Sequence, residues 1–461
     1  MNLSFKSSQY SIKNILQTSD SVYVKKHLSF DALIKDYDDR VSSIIDHRRE
    51  ASNDYTTFDV MMSALACMYM QSPSLLAFQG QLEQRTQRNN LISMFKVHKT
   101  PKTSAMKDCI DEVKPEDLAP IFKTYLAKLQ RNHMLKDYQF IQKKYLVALD
   151  GTEYFSSKKI SCDCCLTQKH NNGSCTYSHQ ALQAAIVLPN KKQVIPMMPE
   201  DISKKDGAKK QDCEINAAKR LIPKIRKAHP RMPMVWLADS LYATTPSIEL
   251  IKSKADDNFI FRVKKDDYKF LYDTIDGMEA IKHESTINNG KETLYYHWYE
   301  NISLNASSPI KVNVLIVYST KTDRYGKKTS TIVGVWATDL PIDHDFVVEI
   351  ARAARARWMV ENECFNILKN HGYSIDHSYG HGQKNLSFNF YTLIMLAFTL
   401  HQIHELTDKL FQQARTFYRT KRELWHGLQF LFNMMLFESW LQMLGYAVKV
   451  RDPEFEGLKP T

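Results

Sequence analysis

At 145–152 the sequence reads YLVALDGT, an apolar and aromatic run that leads to an acid, Asp150. A second stretch, MVWLADS at 234–240, has the same form and leads to Asp239. Short apolar runs that end at turn residues are typical of buried strands. If these two strands are neighbours, their carboxylates emerge side by side at one edge of a sheet. The pair therefore predicts both a sheet and a place where chemistry can occur.

The pattern around these stretches predicts a mixed sheet with helices packed on it. Strands are expected at 145–149, 154–160, 181–187, 193–196, 234–238 and 258–263, and helices at 213–229 and 245–253. Pro223 is expected to kink or split the first of these helices. Strands at 294–299, 311–318 and 330–337 then predict a β-rich insertion, after which helix resumes at Asp345.

The predicted fold class is therefore α/β, with helical regions at both ends of the chain. Helical periodicity before residue 140 predicts either a DNA-binding region or a bundle that supports the rest. Five regions are expected: a helical N-terminal region at 1–140, a first core part at 141–263, the β-rich insertion at 264–345, a second core part at 346–405 and a helical C-terminal region at 406–461.

The composition indicates a globular, basic protein. The chain has 461 residues, 43% of them hydrophobic, which supports a sizeable core and excludes general disorder. Lys and Arg number 62 against 51 Asp and Glu, and the net charge of +11 favours a polyanionic partner. Eight cysteines are too few for a disulfide scaffold, which favours a reducing compartment.

Neither a secretory nor a membrane-spanning segment is expected. The first twenty residues carry Lys6 and Lys13 and have no apolar run, unlike a signal peptide. The longest apolar stretch, 386–402, contains Asn389 and His401 and is predicted to be a buried helix. A soluble, cytoplasmic protein is therefore the expectation.

A third acid completes a constellation with the two strand-end aspartates. Glu361 lies in RWMVENECFNILKN, a predicted helix that can pack over the sheet edge. Three hard oxygen ligands of this kind can hold two Mg²⁺ ions about 3.5–4 Å apart for in-line attack on a phosphodiester. The alternative is structural, because acids that follow strands often cap helices or begin turns.

This ordered set resembles the DDE transposases of bacterial insertion sequences, the cut-and-paste kind whose ribonuclease H-like core is interrupted by a β-rich insertion. The resemblance runs from about 145 to 402, and its most specific stretch is ARWMVENECFNILKNHGYSIDHSYGHG at 356–382. It implies that Asp150, Asp239 and Glu361 form the catalytic triad and bind two Mg²⁺ ions. It also implies that Arg357 and Lys369 match the Arg and Lys of the family signature Tyr-x2-Arg-x3-Glu-x6-Lys.

Two departures from that signature affect the helix that carries Glu361. Ala354 stands at the Tyr position, and Lys369 follows Glu361 by eight residues rather than seven. On a regular α-helix eight residues place Lys369 about 80° from Glu361, against about 20° for seven. Arg357, four residues before Glu361, lies on the same face. Glu363 is the alternative third acid, but it points about 200° away from Glu361.

Basic residues predict a track for the DNA backbone. Ten of them fall between Lys204 and Arg231, among them Lys219 and Arg220. Arg262, Lys264 and Lys265 extend this track at the end of a core strand. Lys and Arg supply affinity for phosphate without reading sequence, whereas the alternative is a solvated helix face.

Aromatic and histidine side chains offer weaker signals. Trp298 and Trp336 in the insertion can stack on an unpaired base or, as we favour, pack in a core. His377 and His381 follow the predicted Glu361 helix in a Gly-containing loop. They can contact phosphate or hydrogen-bond the turn, and we favour the turn.

The cysteines contain a possible zinc motif. The spacing Cys-x2-Cys-x4-His-x4-Cys of a zinc knuckle is met by Cys162, Cys165, His170 and Cys175. Soft thiolates and imidazole in a short loop suit a structural, tetrahedral Zn²⁺ site. Cys164 and His179 are spare ligands that leave the assignment open, and a Cys-rich hairpin loop without metal is the alternative.

These observations together predict a transposase that cuts double-stranded DNA at the ends of its own element and joins the 3′-hydroxyl ends to target DNA. Self-association, at least as a dimer, follows from the need to bring two ends together, and a nucleoid location follows from the DNA substrate. Two alternatives remain: a ribonuclease H-like nuclease with another nucleic acid substrate, and a domesticated DNA-binding protein that no longer cuts. No nucleophile elbow, P-loop or dinucleotide fingerprint favours other chemistry.

Overall fold

The computed structural model describes residues 25–46, 48, 54–82, 85–204, 211–253, 257–287, 292–323, 325–377 and 379–451. Within these ranges the chain is mixed α/β, as predicted, and forms two compact units. Unit 1 takes its described residues from Met1–Leu135, Glu153–His179 and Asn366–Thr461, and unit 2 comprises Lys136–Thr152 and Gln180–Phe365.

The described strands belong to one mixed sheet. They are β1 (Tyr145–Ser157), β2 (Leu166–Lys169), β3 (Cys175–Val187), β4 (Ile195–Pro196), β5 (Glu200–Ile202), β6 (Met234–Ala238), β7 (Asn258–Arg262), β8 (Ile281–Ile287), β9 (Glu292–Ser303), β10 (Lys311–Thr322) and β11 (Lys328–Thr338). The main strand order is β2-β3-β1-β6-β7-β11-β10-β9-β8, and β4 and β5 both pair with β3.

The described residues form α-helices and one π-helical turn. The α-helices are α1 (Phe30–Val41), α2 (Thr57–Tyr69), α3 (Leu75–Leu82), α4 (Arg85–Phe95), α5 (Thr103–Glu112), α6 (Pro115–Arg131), α7 (Glu214–Ala228), α8 (Thr245–Lys252), α9 (Lys269–Asp276), α10 (Val347–Ala356), α11 (Trp358–Val360), α12 (Asn366–Asn370), α13 (Leu386–Thr407), α14 (Lys409–Thr416), α15 (Lys421–Met434) and α16 (Trp440–Arg451). The π-helical turn, Glu361–Phe365, lies between α11 and α12.

Unit 1 is a helical bundle built around α13. This helix is apolar on all sides, as expected of a core helix, and it packs against α2, α5 and α6. Asp111 on α5 accepts the backbone N–H groups of Asn385 and Leu386 at 2.9 and 2.8 Å, which satisfies donors at the start of α13. The C-terminal helices α15 and α16 contact α4 and α1, so helices from the predicted N-terminal region at 1–140 and C-terminal region at 406–461 pack together in unit 1. Residues 1–24 of the first region lie outside the described residues.

The burial of α13 also bears on the membrane question. In the part of the chain that the structure describes, α13 is the one helix long and apolar enough to span a membrane by length and composition. However, 94% of its apolar window is buried inside the protein. This agrees with the predicted buried helix at 386–402.

Unit 2 contains the two strands predicted to carry the aspartates. β1 and β6 are parallel neighbours with Ala148 opposite Leu237, and β6 is parallel to β7 with Leu237 opposite Ile260. Their side chains are buried along the whole of 145–149 and 234–238, as parallel strands covered on both faces require. The helices α8 and α10 pack against β7.

Three details of unit 2 differ from the predictions. β1 continues through Gly151 as one strand to Ser157, where two strands were expected. α7 is one helix that contains Pro223, where a kink or a split was expected. Pro223 is exposed, so water can hydrogen-bond the backbone carbonyl that loses its helical N–H partner at a proline. β11 pairs antiparallel with β7, with Ala337 opposite Phe261. The predicted insertion at 264–345 therefore extends the core sheet.

Candidate active site

The backbone brings Asp150 and Asp239 to adjacent positions. Ala148 and Leu237 are register partners on β1 and β6, so continuation of both chains by two residues places the aspartates next to each other. Neighbouring strands lie about 4.8 Å apart. Asp239 Oδ1 also accepts the N–H of Leu241 at 2.9 Å, which is the capping role expected of an acid after a strand. The strand register thus places the two aspartates at the ends of neighbouring parallel strands, and the cap orients the Asp239 carboxylate.

Arg357 joins the helical acid to this pair. Its Nη2 donates to Glu361 Oε1 at 2.7 Å, and its Nη1 lies 3.4 Å from Asp150 Oδ1. The Arg357 side chain is only 14% exposed. Within the described residues, no hydrogen-bond acceptor meets the buried Nη1. Arg357 therefore pairs with both Asp150 and Glu361 and holds the two carboxylates together.

A fourth carboxylate, Glu214, belongs to the same cluster. Glu214 is the first residue of α7, and Tyr242 donates its hydroxyl to Glu214 Oε1 at 2.9 Å. Burial raises the pKa of Glu214, and repulsion from Asp239 adds to the rise, while the Tyr242 hydrogen bond opposes it. The sequence offered no signal for this role, because Glu214 stands alone at the start of a basic helix.

The four carboxylates repel one another. Burial raises the pKa of Asp150 to about 7; Arg357 opposes the rise, and Glu361 and Glu214 add to it. The single positive charge of Arg357 thus acts on the three carboxylates of Asp150, Glu214 and Glu361. The donors are hard carboxylate oxygens, and their charge is under-compensated, so the cluster fits a divalent cation such as Mg²⁺.

Mg²⁺ is expected to bind more tightly as the pH rises to 8. Asp150 has an unfolded pKa of about 3.9, so between about pH 4 and 7 the folded protein retains a proton that the unfolded chain has lost. This group's contribution to the free energy of unfolding therefore falls as pH rises through that window. A cation must displace the proton, which predicts about tenfold weaker Mg²⁺ binding at pH 6 than at pH 8. Thermal melting with titrated Mg²⁺ measures this, and equal shifts at both pH values would contradict it.

Gly151 leaves room for the end of the Glu214 side chain. A Cβ atom at Gly151 would lie 2.5 Å from Glu214 Oε2. We expect Gly151→Ala to displace the Glu214 carboxylate and to weaken Mg²⁺ binding about tenfold or more, an effect of about 1.4 kcal/mol. Isothermal titration with Mg²⁺ measures the affinity.

The control for this substitution is Gly445→Ala. Gly445 lies within α16, and a Cβ there would meet nothing within 4 Å. This change should leave Mg²⁺ affinity unaltered and stabilise the fold by about 0.5–1 kcal/mol. If Gly151→Ala binds Mg²⁺ as the wild type does, Glu214 is not part of the cation site.

The π-helical turn explains the long spacing to Lys369. A π turn bonds residue i to i+5 and so contains one residue more than an α turn. Glu361 begins the π turn and Lys369 lies on α12 beyond it. The π turn therefore supplies one residue more than an α turn would between Glu361 and Lys369. Lys369 is exposed.

Glu363, the alternative third acid, has different surroundings from Glu361. It lines a cavity of about 350 Å³ in unit 2, together with Arg352, Arg355 and Trp358. Trp358 is 61% exposed. Glu361, in contrast, pairs with Arg357. The cavity also supplies cationic and aromatic side chains that the sequence interpretation had not singled out.

The predicted phosphate contacts fall into two groups. Lys219, Arg262 and Lys264 are exposed, as a DNA contact requires. Arg220 is instead bound within the protein, with Glu200 and Asp212 each 2.7 Å away. Its charge is already compensated, so it contributes less to a basic surface than predicted. Part of the predicted track, at 205–210, lies outside the described residues.

The structure brings together only two of the four residues of the predicted zinc knuckle. Cys162 and Cys165 lie together, but they meet His179 and His381 rather than His170 and Cys175. β2 and β3 form an antiparallel hairpin in which Lys169 pairs with Cys175 and Leu166 with Ser178.

This hairpin separates the predicted ligands. Cys165 immediately precedes β2, whereas Cys175 pairs with the last residue of β2, about 13 Å further along at about 3.3 Å per residue. The His170 ring lies in the turn and contacts Thr176 Oγ1 at 2.7 Å. The spacing rule fails here because strand pairing keeps the two ends of the motif apart.

The remaining predictions concern side chains beyond the acidic cluster. Trp298 and Trp336 are buried, at 1% and 5% exposure, which confirms core packing over base stacking. The His377 ring contacts the Tyr379 ring edge-on. The backbone N–H of His377 donates to the carbonyl of Ser374, in line with a role in the turn.

No protein-family model matches the chain. Curated proteins likewise include no significant match. The function is therefore argued from the geometry of the acidic cluster.

Proposed function

We propose that the protein is a DNA transposase of the DDE type, which cuts at the ends of its element and transfers the 3′-hydroxyl ends to target DNA. The observation that carries the proposal is the convergence of Asp150, Asp239 and Glu361 around Arg357, from two parallel strands and a helix. The order of these acids along the chain matches the resemblance in 145–402.

The topology supports a ribonuclease H-like core. β6 and β7 run parallel to β1, β3 lies on the other side of β1, and α7 and α8 connect the parallel strands. In such a mixed sheet the first strand and the first crossover strand present their carboxyl ends together. Here those ends carry Asp150 and Asp239.

In this proposal Asp150, Asp239 and Glu361 hold two Mg²⁺ ions. When bound, these ions lower the pKa of water or of a 3′-hydroxyl and stabilise the charge that develops on the phosphate. Arg357 pairs with Asp150 and Glu361 and so orients both carboxylates. Glu214 adds negative charge beside Asp150, which strengthens cation binding.

The reaction needs no protein nucleophile. Attack by water on the phosphodiester breaks the bond to the 3′ oxygen and leaves a 3′-hydroxyl and a 5′-phosphate. That hydroxyl then attacks a phosphodiester of the target and displaces its 3′ oxygen. No covalent intermediate between protein and DNA is expected.

Double-stranded DNA is the proposed partner, for both ends and target. Exposed Lys219, Arg262, Lys264 and Lys369 supply positive charge for phosphate. The cavity with Arg352, Arg355 and Trp358 adds cations and an exposed indole in unit 2. Joining two ends requires at least a dimer in the active complex, and the DNA substrate implies association with the nucleoid.

Strand cleavage tests the proposal. Duplexes that carry the presumed element ends are incubated with Mg²⁺ and either wild type or Asp239→Ala. Site-specific nicks with 3′-hydroxyl ends, made by the wild type alone, are expected. Binding without cleavage in both Mg²⁺ and Mn²⁺ would favour the domesticated DNA-binding protein. Cleavage without preference for the ends would favour a ribonuclease H-like nuclease, and cleavage that persists in the variant would exclude Asp239.

A further inference from the structure

Unit 1 contains a compact cluster of sulfur and nitrogen donors. Cys162 Sγ lies 3.5 Å from Cys165 Sγ, and both lie near His179 Nε2, at 3.3 and 3.4 Å. His179 Nε2 is also 3.3 Å from His381 Nδ1. All four donor atoms lie within 4.8 Å of one another.

Four of the six separations among these donor atoms match the edges of a zinc tetrahedron, and the other two, from the cysteine sulfurs to His381 Nδ1, are at most 4.8 Å. With Zn–S bonds of about 2.3 Å and Zn–N bonds of about 2.0–2.1 Å, the edges are about 3.8 Å between sulfurs, 3.6 Å between sulfur and nitrogen and 3.3 Å between nitrogens. The observed distances of 3.5, 3.3–3.4 and 3.3 Å lie within about 0.3 Å of these values. One small cation fits at the centre.

Hydrogen bonding does not explain the cluster. A single imidazole nitrogen has either one N–H or one lone pair. His179 Nε2 faces Cys162, Cys165 and His381 at once, so one nitrogen cannot serve all three neighbours. A disulfide does not explain it either, because the sulfurs are much further apart than the roughly 2.05 Å of an S–S bond. A shared metal ion satisfies all four donors together.

The surroundings hold the histidines in place. The Tyr154 ring stacks on His179, and the Phe155 ring meets His381 edge-on at 4.1 Å between centroids. His381 stands between Gly380 and Gly382, whose φ angles of 149° and 65° suit glycine. The histidine donors therefore lie on a strand and on a loop whose conformation is fixed by packing and by its glycines.

We propose that Cys162, Cys165, His179 and His381 bind one Zn²⁺ ion in a closed, structural site. Two thiolates and two imidazoles are soft and borderline donors that favour Zn²⁺ over Mg²⁺. Cys165 and His179 are buried, at 0% and 3% exposure, which suits a closed site rather than a catalytic one. The ion cross-links segments 202 residues apart in sequence. This proposal is independent of the transposase proposal.

Metal content tests the ligand set. The full-length protein is produced in zinc-supplemented medium, and zinc per chain is measured by plasma mass spectrometry. The wild type is expected to hold one zinc ion per chain. His381→Ala and His179→Ala are expected to lose it, whereas the matched controls His170→Ala and Cys175→Ser retain it. Loss of zinc in the controls together with its retention in His381→Ala would restore the knuckle and overturn this site.

Cobalt substitution tests the coordination of the site in the wild type. Co²⁺ bound to the wild type in place of zinc is expected to show tetrahedral d–d absorption and a thiolate charge-transfer band of two sulfurs. EDTA should remove the ion and lower the melting temperature of the wild type, but not that of His381→Ala. A wild type that holds no stoichiometric zinc and gives no cobalt bands would overturn the proposal, whatever its activity on DNA.

Discussion

Asp150→Asn is expected to reduce strand cleavage by about 10³-fold or more, which corresponds to about 4 kcal/mol of transition-state stabilisation. Asparagine keeps the shape of the side chain but removes the charge that holds a cation. DNA binding should persist, because the change removes negative charge from the site. Single-turnover cleavage and gel-shift assays on the same duplex separate the two effects.

The same substitution should stabilise the metal-free protein. The Asp150 side chain is 17% exposed and lies near Glu214 and Glu361, so its carboxylate is costly to ionise there. A neutral amide relieves this cost, so the melting temperature without Mg²⁺ at pH 8 should rise by a few degrees, about 2–4 °C per kcal/mol. Loss of activity together with a gain in stability is typical of a functional site.

Asp273→Asn is the matched control for this prediction. Asp273 is exposed on α9, so the same chemical change there should alter neither cleavage nor melting. Cleavage by Asp150→Asn within tenfold of the wild type would remove Asp150 from the catalytic site. A fall in its melting temperature would instead show that the carboxylate is structural.

Asp257→Ala is expected to lower the free energy of unfolding by about 3–5 kcal/mol. Asp257 is fully buried and accepts hydrogen bonds from the Trp236 indole at 3.0 Å and the Met234 N–H at 3.2 Å. Arg226 lies 3.1 Å away and is 8% exposed. Removal of the carboxylate leaves a buried guanidinium without its counter-charge at β6, the strand that leads to Asp239. Urea denaturation measures the loss.

An exposed ion pair provides the comparison. Lys35 and Asp39 lie 2.8 Å apart on α1 with more than half of each side chain exposed. Asp39→Ala should therefore change the free energy of unfolding by less than about 1 kcal/mol. If Asp257→Ala costs no more than this control, the buried pair does not hold β6 in place.

The parts of the fold that follow from local pattern were predictable. The apolar runs before Asp150 and Asp239 identify buried strands, and their parallel pairing follows from the helix that connects them. The buried helix α13 follows from its composition. In each case a few neighbouring residues carry the signal.

The parts that depend on distant contacts were not predictable. Glu214 joins the acidic cluster only because Tyr242 and Gly151 lie beside it in the folded chain. His381 meets Cys162 across more than 200 residues, whereas the nearer His170 and Cys175 are kept away by strand pairing. The π turn after Val360 adds one residue to a helix without a sequence signal that marks it.

Sulfur substitution of the scissile phosphate is the most direct test of metal-assisted cleavage at Asp150, Asp239 and Glu361. In this experiment one non-bridging oxygen of the phosphate is replaced by sulfur. Mg²⁺ binds sulfur poorly, whereas softer Mn²⁺ accepts it. We predict that the phosphorothioate duplex is cut much more slowly than normal DNA in Mg²⁺ and that Mn²⁺ restores the rate. Equal rates on both duplexes in Mg²⁺ would contradict contact between the cation and the phosphate, and with it the proposed mechanism.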